Sequence, residues 1–76
     1  MSQRLPSLKP GDVLGALTRA GFFVHHVSGS HYVLKHPDQP ARRVTLPFHK
    51  NDLKRGTLLA IIDEAGLTSD RFMELL

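Results

Sequence analysis

Apolar residues along the chain change spacing several times, and each change marks an element. Val13, Leu14, Leu17 and Ala20 recur at helical spacing. Pro10 suits the first helical turn, where its missing N–H costs no hydrogen bond, and Gly21 suits a C-terminal cap. A helix is predicted over residues 10–20. "FFVHHV" (22–27) is aromatic and β-branched, which predicts a strand. Simple alternation puts Phe22, Val24 and His26 on one face and Phe23, His25 and Val27 on the other. Gly29-Ser30 fits a two-residue hairpin with glycine at the first central position, the type II′ pattern. "HYVLKH" (31–36) is the return strand, stopped by Pro37. "PDQPAR" (37–42) reads as a turn, and "RVTL" (43–46) as a third strand with Val44 and Leu46 on one face, ended by Pro47. "FHKNDLKRG" (48–56) leads into a second helix. There Leu58, Ile61, Ile62 and Ala65 fall at i, i+3, i+4 and i+7, and Gly66 caps the end. Thr68 can N-cap a short last helix carrying Phe72, Leu75 and Leu76.

The predicted order is α-β-β-β-α with a short extra C-terminal helix. Hairpin-linked strands flanked by helices make an α+β sandwich: a three-stranded antiparallel sheet with helices on one face. The other sheet face is left free to meet a partner. With 76 residues, one domain over 1–76 is expected, with 1–7 as a loose leader. A domain this small buries only roughly 60% of the surface its unfolded chain exposes.

Composition narrows the functional classes. Cysteine is absent, so disulfides and thiolate metal sites are excluded. No apolar run approaches the ~20 residues of a membrane span. Residues 1–9 carry no apolar signal-peptide core, so no membrane contact and a cytoplasmic location are expected. Ten Lys and Arg against seven Asp and Glu give a net charge of +3, which suits an anionic partner.

Two places carry candidate chemistry. His31 directly follows the Gly29-Ser30 turn. Small residues leave that backbone bare, so a phosphate can approach the N–H groups of Gly29 and Ser30. An imidazole beside it can exchange a proton near neutral pH. The plain alternative is an ordinary exposed strand residue. The second place is Lys50, Lys54 and Arg55, at the approach to the second helix. The helix macrodipole is positive there and disfavours cations by a few tenths to ~1 kcal/mol each. Asp52 offsets part of this. With the N–H groups of Gly56 and Thr57, the cluster reads as a phosphate site; the alternative is a solvated loop. His25 and His26, on opposite faces of a strand, do not both reach one metal ion without distortion. His26, His36 and His49 could converge in space, but sequence spacing alone does not show it. With no H-E-x-x-H and no Cys/His pattern, no metal or cofactor is expected.

The ordered pieces "AGF" (20–22), "GSH" (29–31), "KHP" (35–37), "VTLPFH" (44–49), "LKRGTL" (53–58) and "IIDEAGL" (61–67) resemble the HicA (YcfA-like) toxins of bacterial and archaeal toxin–antitoxin systems. The resemblance covers about residues 8–76, and its specificity lies in the ordered set rather than in any one piece. It implies a fold similar to the double-stranded-RNA-binding domain. The implied activity is an mRNA interferase, an endoribonuclease held in check by a HicB antitoxin. The family's catalytic histidine corresponds to His31. Members often carry Arg or Lys one to three residues before the turn glycine, where this chain has His26, Val27 and Ser28.

The combined expectation is a ribonuclease toxin whose partners are mRNA and a HicB-type antitoxin. His31 would act as general base, and Gly29, Ser30, Lys50, Lys54, Arg55, Gly56 and Thr57 would hold the substrate. His49 and His36 are candidates for the second acid/base. Two alternatives use the same residues: a non-catalytic RNA-binding module, and a basic protein-interaction domain.

Overall fold

The computed structural model describes residues 5–76. Pro10 opens the first helix, α1 (Pro10–Arg19), and Asp12 accepts the Lys9 N–H at 3.1 Å in its first turn. Gly21 leaves the helix at φ +101, a conformation L side chains rarely adopt, and turns Phe22 inward. Phe22 is therefore a buried core residue preceding the strand and not part of it. Three strands follow: β1 (Phe23–Ser28), β2 (His31–His36) and β3 (Gln39–Pro47). They form an antiparallel sheet in the order β1-β2-β3. The helices α2 (Arg55–Glu64) and α3 (Ser69–Glu74) complete the α+β architecture expected from the periodicity.

Two sequence expectations for the sheet are corrected. The first is the alternation along β1. Val24 pairs with Leu34 and His26 with Val33, so His25 is an extra, bulged residue. Phe23, His26 and Ser28 consequently share the outer face, and Val24 lies on the other. The bulge also draws the two neighbouring imidazoles together, with His25 Nδ1 and His26 Nδ1 2.8 Å apart. The second is the extent of β3, which begins at Gln39 and leaves only Pro37 and Asp38 as the turn. Pro40 reads as a turn residue, yet β3 is an edge strand, where a missing N–H breaks no ladder bond.

One hydrophobic cluster forms between the sheet and the helices. It takes Val13, Ala16 and Leu17 from α1, Leu34, Val44 and Leu46 from the sheet, Leu58, Ile61 and Ile62 from α2, and Phe72 from α3. Each large aliphatic or aromatic side chain fully buried this way contributes roughly 1.5–3 kcal/mol. Part of the expected loose leader falls on residues 1–4, outside the described residues. Of the described part, Leu5, 6% exposed, is buried in the core, while Pro6 and Ser7 are exposed.

The helix directions position the site. The α2 end touches the middle of β3: Arg42 Nη1 donates to the Glu64 carbonyl at 2.8 Å, and the Thr45 N–H donates to Glu64 Oε1 at 3.3 Å. So α2 runs back along β3, and its N-terminus lies at the Pro47 end. The C-terminus of α1 meets His36, at the other end of the sheet. Its N-terminus meets the loop over residues 50–53, where the Leu53 N–H donates to the Leu8 carbonyl at 2.8 Å and Lys9 Nζ lies 3.7 Å from Asp52. Both helix N-termini thus converge on the end of the sheet that holds the Gly29-Ser30 turn. No helix among the described residues is long and apolar enough to cross a membrane.

Candidate active site

The turn is built as the glycine spacing predicts. Gly29 has φ +59, and no described residue other than glycine has a positive φ, so Ser30 does not. That combination fits type II′ and excludes type I′, which needs positive φ at both central positions. Ser28 pairs with His31 across the turn. Nothing lies within 4 Å of where a Cβ on Gly29 would stand, so the approach is open. Among the described residues, neither the Gly29 nor the Ser30 N–H donates to a backbone carbonyl. His31 is exposed; Leu34 is buried toward the helices, so alternation along β2 puts His31 on the uncovered outer face.

A staple holds this turn. His31 pairs with Pro47, and the Phe48 N–H donates to the Ser30 carbonyl at 2.7 Å. The Tyr32 and Phe48 rings stack at 4.3 Å between centroids, 17° from parallel. His49, exposed, is the next residue along. Tyr32 and Phe48 were not legible as site residues: their stacking depends on the β2–β3 register, which no local pattern specifies.

At the same end of the molecule, α2 begins with Lys54 as N-cap in an extended conformation, φ −65 and ψ 147. No side chain caps this helix, and its first turn holds no acid. The Leu58 N–H donates to the Lys54 carbonyl at 2.9 Å; the preceding Gly56 and Thr57 N–H groups have no backbone acceptor among the described residues. Lys50, Lys54 and Arg55 are exposed, and none joins an ion pair there. Asp52 was expected to offset their charge, but it pairs with Lys9 instead.

His36 is not part of this arrangement. It ends the strand that His31 begins, five residues away, or about 16 Å at strand rise. Both of its ring nitrogens are used: Nε2 lies 3.1 Å from the Ala20 carbonyl, and Nδ1 accepts the Asp38 N–H at 3.1 Å. Its ring also packs edge-to-face on Phe22, 5.1 Å between centroids. The structure therefore makes His36 a brace between α1 and the β2–β3 turn. Among the described residues no cluster of three or more His, Asp or Glu side chains could hold a metal ion.

A search of curated proteins finds no match to the chain. The sequence profile of the HicA toxin family, described as toxins of bacterial toxin–antitoxin systems, matches residues 11–67. That span runs from α1 through the three strands to the end of α2 and includes the turn, His31 and the cationic approach to α2. On this match, over well more than half its length, the chain belongs to the HicA toxin family.

Proposed function

We propose that this toxin is an endoribonuclease and that His31 is its general base. The observation that carries the reading is the company His31 keeps. An exposed imidazole stands beside two unbonded turn amides, at the end of the fold where both helix N-termini and four lysine and arginine side chains gather. A phosphodiester is the substrate such a place suits.

The reaction is transesterification. His31 takes the proton from a ribose 2′-OH as its oxygen attacks the adjacent phosphorus. The P–O5′ bond breaks, and the departing 5′-oxygen takes a proton from an acid. The products are a 2′,3′-cyclic phosphate and a 5′-hydroxyl. Gly29 and Ser30 amides, with Lys54 or Arg55, stabilise the charge that builds on the phosphoryl oxygens. Lys50, Gly56 and Thr57 hold a flanking phosphate. His49 is the acid, supported by its place one residue from the Phe48–Ser30 hydrogen bond. A HicB-type antitoxin in the cytoplasm covers this end of the molecule and presents carboxylates to the cations.

The test is His31→Ala. The variant should fold, because His31 is exposed and outside the core. It should lose growth arrest on induction and lose cleavage of mRNA to cyclic-phosphate ends. A folded variant that still arrests growth and cuts RNA refutes the assignment.

A further inference from the structure

The outer face of the sheet carries a feature that chemistry at His31 does not use. Strand register lays three rows across this face. The first holds Ser28, His31 and Pro47; the second, His26, Val33 and Thr45; the third, Phe23, Lys35 and Arg43. Val33 is 2% exposed yet stands apart from the helix-side core, so the middle row has a small apolar centre of its own.

The third row breaks two local rules at once. Lys35 and Arg43 are directly opposite one another, and like charges in that relation destabilise a strand pair. No carboxylate relieves them, since neither joins an ion pair among the described residues. Beside Lys35 is Phe23, a large apolar ring left 46% exposed. A local rule broken without local compensation points to a ligand.

We infer that this row is a nucleotide subsite for single-stranded RNA, with a phosphate on Lys35 and Arg43 and a base stacked on Phe23. The inference rests on the ribonuclease reading for the identity of the strand. Lys35 is four residues from His31 along β2, about 13 Å at strand rise. That is too far for the phosphate being cut and suits a neighbouring nucleotide of the same strand. An acidic peptide would satisfy the two cations but has no need of a flat aromatic ring beside them. A nucleobase does, and stacking on aromatic side chains is how unpaired bases are held.

The experiment measures affinity of the full chain for a short, labelled, mixed-sequence single-stranded RNA in a His31→Ala background, which prevents cutting. Phe23→Ala should weaken binding about five-fold or more, and Phe23→Tyr should restore it. Lys35→Gln with Arg43→Gln should flatten the slope of log affinity against log salt by roughly 0.7, the share of one neutralised phosphate on a single strand. The charge variants should melt no lower than the parent, because a like-charge pair is removed. Unchanged affinity in both sets, or no RNA binding by the parent, overturns the subsite. Loss of antitoxin affinity with RNA affinity intact overturns it too and identifies a protein-binding face. If the row binds RNA but the wild-type chain never cuts it, the ribonuclease reading fails while the subsite stands.

Discussion

Substituting alanine at Gly21 should damage the fold at one corner, and the structure says by how much. A Cβ there would lie 2.6 Å from His36 Nε2, closer than real Cβ contacts allow. The backbone also holds φ +101, which costs an L residue about 1–2 kcal/mol. If His36 moves away, it loses its bond to the Ala20 carbonyl, about 0.5–1.5 kcal/mol, and its edge-to-face contact with Phe22, a further 0.5–1.5 kcal/mol or so. Together these come to about 2–5 kcal/mol. A 76-residue domain has only about 4–11 kcal/mol to lose at typical stability per residue. Urea unfolding followed by circular dichroism reads the loss directly. With a slope near 1 kcal/mol per molar for a small domain, the midpoint should fall by about 2 M or more. The decisive arm is a double-mutant cycle. In a His36→Ala background the clash is already gone, so Gly21→Ala should cost only the φ term, about 1–2 kcal/mol. Equal costs in the two backgrounds would refute the reasoning. The same variant tests the role assigned to His36: His36→Ala should lower stability while leaving cleavage per folded molecule unchanged, and a hundred-fold loss of rate would restore it as an acid/base candidate.

Lys54→Asp should raise stability by about 1 kcal/mol, since an aspartate N-cap can accept from the free Gly56 or Thr57 N–H. The same change should weaken RNA binding, and a variant equally stable but unimpaired in binding would argue against a phosphate at this end. Thr68 accepts the Arg71 N–H at 3.1 Å as the cap of α3, so Thr68→Ala should cost about 1 kcal/mol, read by thermal melting. Co-expression with a cognate antitoxin should yield a tight complex, in which hydrogen exchange slows at both the 29–31 turn and the 50–57 segment. Protection that spares both segments counts against coverage of the site.

Local signals carried most of the fold. The Gly29-Ser30 hairpin, the α2 stripe, the Gly66 C-cap at φ +72 and the Thr68 cap are each specified within a few residues, and each forms where the spacing puts it. What escaped the sequence depends on distant partners. Pro40 is tolerated in β3 because β3 lies at the sheet edge, which follows from strand order and not from the neighbours of Pro40. The His25 bulge is a property of the β1–β2 register. His36 resembled a free acid/base because its partner, the Ala20 carbonyl, is sixteen residues away. Asp52 looked like a counter-charge for Lys50 and Lys54 until the fold brought Lys9 beside it.

The distribution of satisfied cations gives the strongest argument for where the anion binds. At the His36 end, Lys35 and Arg43 on the outer sheet face aside, two arginines serve the helix termini: Arg42 donates to the Glu64 carbonyl that closes α2, and Arg19, in the last turn of α1, donates at 2.8 Å to the Leu75 carbonyl that caps α3. Positive charge at helix C-termini is what the macrodipole favours, and these groups have hydrogen-bond partners within the fold. At the His31 end the same kinds of side chain stand at the N-terminus of α2, where the dipole disfavours them, and Lys50, Lys54 and Arg55 have no acid paired to them among the described residues. Both α1 and α2 are headed by a lysine, but α1 has Asp12 in its first turn, accepting the Lys9 N–H, and α3 has its Thr68 cap. The first turn of α2 holds no acid, and no side chain accepts from its free amides. An anion brought from outside supplies both missing elements, the acceptor for the free amides and the counter-charge for the cations. Among the described residues the cationic end of this toxin is therefore electrostatically incomplete, which supports the proposed phosphodiester as its ligand.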